Sequence, residues 1–172
     1  TGLHHTDGLA DFADGLMTKG TKEKKLMAMK DLSTGSAGTV TIVLYIVGLI
    51  MALSLSTGYQ LFLAIFLSEI IAKFSMVLMA SVGKSASAGS NSLFVKLMHN
   101  KTKLMLASII TIIPLVVLGE NYMGLIIFIA CVFLTLFLVV LTKRTFGGIT
   151  GDILGATNEL NRLASIIIFV SI

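Results

Sequence analysis

The chain has 172 residues, 55% of them hydrophobic, a mean hydropathy of +0.95 and 13% charged residues, about half the charged share of a typical soluble domain. That balance excludes an ordinary soluble protein and predicts an all-α, polytopic transmembrane helical bundle, a single integral-membrane domain over residues 1–172. The net charge of +4 calls for no nucleic-acid partner, since the cations sit in loops beside anionic lipid, and the lone Cys131 cannot build a disulfide framework.

The first predicted element is a helix around "HHTDGLADFADG", residues 4 to 15. Asp7, Asp11 and Asp14, at i, i+4 and i+7, fall on one helical face. Like charges so close repel and raise each other's pKa, which favours a cation between them. Oxygen-only ligands select Mg²⁺, with Mn²⁺ as the alternative, over zinc. A solvated acidic surface is the plainer explanation, yet the chain spends three of its nine acidic residues here. Adjacent His4 and His5 point to different faces. His5 is a candidate for a metal or a phosphate, and His4 reads as a polar helix end. The chain opens at Thr1 with neither Met nor a leader, so further N-terminal residues are expected before it.

Next, "KEKKLMAMKD", residues 22 to 31, reads as a basic amphipathic helix with Leu26, Met27 and Met29 dipping into the membrane interface. Asp31 at its end is a further candidate carboxylate. Membrane spans follow at 39–56, 60–82, 104–118 and 122–142, which meet or approach the length a bilayer needs, and a fifth at 152–172 has a polar first half and an apolar end. Eleven of the thirteen Lys and Arg residues fall in loops 19–37, 83–103 and 143–151, and the breaks at 57–60 and 119–122 hold none. The positive-inside rule puts the basic loops, the acidic helix and Asp152 at the cytoplasmic face.

Glu69 and Lys73 lie i, i+4 within the second span, where an unpaired charge costs about 2.5–3.5 kcal/mol. They read as an intramembrane pair, with Lys73 facing a polyanionic substrate. "GKSASAGSNS", from residue 83, reads as a flexible connection that could order as a lid. In "GGITGDILGATNELNR", from residue 147, Gly147, Gly151 and Gly155 form a small-xxx-small series for close helix packing. Asp152 and Glu159 share one helix face there and read as a second acidic contribution to the metal site. A cation transporter or channel using the acidic cluster is the alternative, although transporters place such groups near the bilayer midplane.

Three motifs, "TGLHHTDGLADFADG", "KEKKLMAMKD" and "FGGITGDILGATNEL", resemble in order and apolar spacing the cobalamin synthases, membrane enzymes also called adenosylcobinamide-GDP ribazoletransferases. The resemblance covers essentially the whole chain, apart from a further N-terminal membrane segment common in the family. It implies transfer of the adenosylcobinamide phosphoryl group from adenosylcobinamide-GDP to α-ribazole or its 5′-phosphate, releasing GMP, with Mg²⁺, at a prokaryotic inner membrane. It also implies that Asp7, Asp11 and Asp14 are the family's acidic metal motif, that Asp152 and Asp31 match family carboxylates and are the candidate catalytic ones, and that Lys73 keeps the positive charge where the family commonly has Arg; His5 and Lys73 are the candidate substrate-binding residues. The chain has "MKDLSTG" where the family has "MKDSRIG", so Ser33 replaces a usual Arg. A more distant likeness, "DGLAD" to "DGxxAR", is to CDP-alcohol phosphotransferases. Monomer and homo-oligomer both stay open.

Overall fold

A computed structural model describes residues 3–86, 90–119 and 122–171. Its elements are α1 (His4–Met17), α2 (Lys22–Ala28), α3 (Ser36–Ser54), α4 (Gly58–Val82), α5 (Ser90–Met98), α6 (Lys101–Leu118), α7 (Met123–Thr145) and α8 (Gly151–Ser171). Among the described residues the extended pairing is confined to one isolated bridge between Ser85 and Ile149. Helices α3, α4, α6, α7 and α8 are long and apolar enough to cross a membrane, and each matches an expected span to within a turn.

Helix α8 is the centre of the bundle. Of its most apolar window 61% is buried inside the protein, against 11% for α6 and 17% for α3, which turn their side chains outward. This accounts for the polar first half of the last span. Thr157, Asn158, Glu159 and Asn161 are buried against protein instead of facing lipid. Thr150 starts α8 by accepting the Ile153 N–H on its Oγ1, the usual service of a hydroxyl before a first turn.

The short helix α1 docks on α8 and α3. It buries Leu9 and Phe12 with Phe146, Ile153 and Met79, and each such side chain taken from water contributes about 1.5–3 kcal/mol. Between the spans that driving force is weak, because lipid is as apolar as Leu, and close approach must substitute. At Gly124 an added Cβ would fall 1.9 Å from the Leu115 carbonyl oxygen, so α6 and α7 meet there backbone to backbone.

Three expectations are corrected. Met29 is buried against Gly15, and Lys25 Nζ donates to the Leu16 and Thr18 carbonyls. That end of α2 is therefore fastened to the C-terminus of α1, where a cation suits the helix dipole, and does not dip into lipid. The segment from residue 83 carries structure: Ile149 N–H donates to the Lys84 carbonyl, Ala86 N–H donates to the Ile149 carbonyl, and α5 begins at Ser90, while 87–89 lie outside the described residues. Gly147 sits in the loop before α8 at φ +83°, so the small-residue series begins inside the helix only with Gly151.

Candidate active site

The site is built where α1 crosses α8. A Cβ on Gly8 would lie 2.8 Å from both Cα and O of Asp152, one on Gly155 would lie 3.0 Å from Cα of His5, and one on Gly15 would lie 3.0 Å from Phe146. The helices therefore run in opposite directions with backbones touching, which glycine alone permits. The contact brings Asp152 to the acidic face of α1. Asp11 is the middle of that face, and its carboxyl is pushed up to about 6, first by burial and then by the charges of Asp7, Asp152 and Asp14. Among the described residues no Lys, Arg or His forms an ion pair with any of these four carboxylates.

The four are not equivalent. Asp14 accepts the Gly35 N–H on Oδ2 at 2.7 Å and the Gly38 N–H on Oδ1 at 2.8 Å. It thus caps the N-terminus of α3, where a carboxylate suits the free amides and the dipole. Asp7 lines a cleft of about 390 Å³ between α1 and α3. Thr150 Oγ1 donates to Asp152 Oδ2 at 3.3 Å. Among the described residues no three His, Cys, Asp or Glu side chains stand together as a ready metal cage. The donor set is nevertheless one of hard oxygens carrying uncompensated negative charge. This fits Mg²⁺, which is usually held by one or two carboxylates with substrate phosphates and water completing its shell.

Asp31 stands apart from the crossing, in a cleft of about 350 Å³ that Asp14 also lines. Its Oδ1 accepts from the Ser33 N–H at 3.0 Å and from Ser33 Oγ at 2.7 Å, and these bonds hold its carboxyl below the usual range. His5 turns toward the interior. Its Nδ1 is buried without a hydrogen bond and lies 3.9 Å from Glu159 Oε1. Burial, reinforced by Lys73 and opposed by Glu159, lowers its pKa. Lys73 Nζ donates to Asn158 Oδ1 at 2.8 Å and lines a cleft between α4 and α6.

The expected Glu69–Lys73 pair is loose, at 3.9 Å. Glu69 is instead held by Arg162 Nε at 2.6 Å. Arg162 also pairs with Glu159, which accepts from the Tyr45 hydroxyl and from Asn158 as well. Glu159, 1% exposed, is thus fully spoken for, and it is not the second metal contribution that its spacing from Asp152 suggested. Tyr45 and Arg162 escaped the reading of the sequence. The i, i+3 spacing of Glu159 and Arg162 was a visible signal. The links to Tyr45 on α3 and Glu69 on α4 exist only in three dimensions.

The family model described as cobalamin-5-phosphate synthase matches residues 1–170. The chain belongs to this family. It is 35% identical over 173 residues to the adenosylcobinamide-GDP ribazoletransferase of Pyrococcus abyssi, covering 97% of this chain and 70% of that protein. The enzyme of the same name from Thermococcus onnurineus is 35% identical over 169 residues, with the same coverage of each chain. That of Clostridium tetani is 32% identical over 170 residues, covering 98% and 67%. No solved structure matches the chain.

Proposed function

We infer that this family member is a membrane transferase that moves the adenosylcobinamide phosphoryl group from adenosylcobinamide-GDP to α-ribazole or its 5′-phosphate. The ribose 3′-hydroxyl of the acceptor attacks the phosphorus next to cobinamide. The P–O bond to the second phosphate breaks, GMP leaves, and the hydroxyl proton passes to a base. The observation that carries the catalytic reading is the α1–α8 crossing, which groups Asp11, Asp7 and Asp152 with no cationic partner among the described residues.

Asp7 and Asp11 would hold a divalent cation, Mg²⁺ by preference, together with the substrate pyrophosphate, with Asp152 beside them. When bound, that cation supplies neutralisation of the charge gathering on the departing phosphate. Asp14 positions α1 on α3. Asp152 is the better candidate base, because Asp31 already spends one oxygen on two Ser33 donors that depress its basicity. Lys73 uses one strong hydrogen bond on Asn158 and keeps donors for a phosphate. His5, neutral by burial, lines the deeper end of α1 beside it. Positive-inside loops support a cytoplasm-facing site in a prokaryotic cell membrane.

Cation transport has no support. The carboxylates midway along the spans, Glu69 and Glu159, are both paired to Arg162. The test is GMP release by the full chain in liposomes, from adenosylcobinamide-GDP and α-ribazole, with Mg²⁺ and after chelation. Mg²⁺-dependent release that needs the acceptor is expected. GMP release that persists without divalent cation defeats the metal reading, and no release with either acceptor defeats the transferase reading.

A further inference from the structure

Beside the glycine loop, lined by Gly147, Gly148 and Ile149, lies a cleft of about 730 Å³. Lys22, Lys84, Lys143 and Arg144 line it, and no acidic residue does. Lys84, Lys143 and Arg144 make no ion pair or side-chain hydrogen bond among the described residues. Grouping cations without partners costs repulsion, and an anion relieves it. Lys143 and Arg144 on the last turn of α7 also suit the helix dipole. That accounts for two of the four and leaves their convergence with Lys84 and Lys22, from two other segments, without a reason.

The walls are built to hold this shape. A Cβ on Gly148 would fall 2.4 Å from the Lys84 carbonyl oxygen, so the bridge between Lys84–Ala86 and Ile149 requires glycine. Gly147 makes its turn at φ +83°, where other residues are strained. The floor is apolar. Val82 ends α4, and Val139 and Val140 belong to the last two turns of α7. Both helices are long enough to cross a membrane, and Val82 and Val140 are exposed on them. Cations thus stand at the membrane–water boundary directly above an apolar surface that continues down the lipid-facing side of the spans.

We propose that this cleft binds the phosphate headgroup of an anionic membrane phospholipid, its phosphodiester among Lys84, Lys143, Arg144 and Lys22 and its upper acyl chains along Val82, Val139 and Val140. A free phosphate monoester would use the cations and leave the valines without a role. The apolar floor therefore favours the lipid. Phe146 leads from α7 into the same loop and packs on Phe12 of α1, and Asp152 follows the loop by three residues. A bound headgroup therefore steadies the segment that presents Asp152.

The test takes the full chain in detergent, titrated with short-chain phosphatidylglycerol, with short-chain phosphatidylcholine, or with inorganic phosphate, and read by native mass spectrometry. Phosphatidylglycerol is expected to be retained over phosphatidylcholine. The variant Lys143→Gln/Arg144→Gln should retain it about thirtyfold less, the scale of two cations near an anionic surface. The control Lys24→Gln/Lys101→Gln removes equal charge from outside the cleft and should leave retention unchanged. Equal losses in both variants would mean diffuse attraction to a basic surface and would overturn the site. Inorganic phosphate displacing the lipid at equal concentration would assign the cleft to a free phosphate and overturn the lipid. Because the double variant could fold poorly, the unaltered protein is also labelled with phosphatidylglycerol carrying a photoreactive group high on its acyl chain. Crosslinks concentrated at Val82, Val139 and Val140 are expected. Even labelling of outward residues such as Phe62, Ile110 and Phe133 overturns the proposal. Either failure leaves the transferase reading untouched, since no residue tested belongs to the acidic face.

Discussion

Two sets of carboxylates lie a few turns apart and are treated in opposite ways. Glu159 and Glu69, inside the span region, are tied to Arg162, and Glu159 also takes hydrogen bonds from Tyr45 and Asn158. Asp7, Asp11 and Asp152, around the α1–α8 crossing, form no ion pair among the described residues, and Asp11 is pushed up to about 6. A charge buried in a membrane domain must be compensated by the protein itself, because lipid offers nothing. At a surface cleft, compensation can be left to a ligand. The difference separates carboxylates that hold the bundle together from those available for chemistry, and charge and position along the helix alone do not separate them.

The two sets should respond to neutralisation with opposite signs. Asp11→Asn should lower GMP release by about three orders of magnitude, the several kcal/mol a lost metal contact costs the transition state, with turnover falling more than substrate affinity. The same change should stabilise the metal-free protein at neutral pH by about 1 kcal/mol, since partial exposure screens the repulsion it relieves. The sign follows from a folded-state pKa of about 6 above the ordinary 3.8. The stability tied to this group is complete below pH 3.8 and is lost as pH rises through 6. Thermal melts of metal-free protein should show that loss, and Mg²⁺ should flatten it. A melt that is level across this range, or Asp11→Asn with normal turnover at limiting Mg²⁺, removes Asp11 from the metal-binding set.

Arg162→Met should instead destabilise by about 3–5 kcal/mol by stranding Glu159, read as a loss of folded protein and of melting temperature. Adding Glu159→Gln should recover most of it. If Arg162→Met folds normally, the interior network is not what holds Glu159. Asp14→Ala should cost about 1–2 kcal/mol through two uncapped N–H groups of α3, with turnover at saturating Mg²⁺ reduced much less than in Asp11→Asn. Equal losses in the two would make Asp14 a full member of the metal set. Asp31→Asn should change turnover by about twofold or less, because Asp152 is the favoured base. A loss of orders of magnitude there would exchange the two roles.

Much of the molecule was legible in the chain. An unbroken apolar stretch of span length has one stable solution in lipid, a helix that satisfies its own backbone, and the first four spans followed from that, while the last was marked by its apolar second half. The i, i+4, i+7 placement of Asp7, Asp11 and Asp14 likewise depends only on helical periodicity. Local patterns cannot report which face meets which neighbour. The tertiary structure decided that Asp14 caps α3, that Met29 is buried where a lipid contact was expected, that Glu69 pairs with Arg162 more tightly than with Lys73, and that Asp152 meets Asp11 through the glycine contact at Gly8. Each of those joins residues distant in sequence, and the partner of a charge is chosen by what packing brings within a few ångströms of it. The sequence by itself determined the helices and the side of the bundle on which the charges gather. Only the packing of α1 against α8 and α3 decided which of those charges are already compensated and which remain for a ligand.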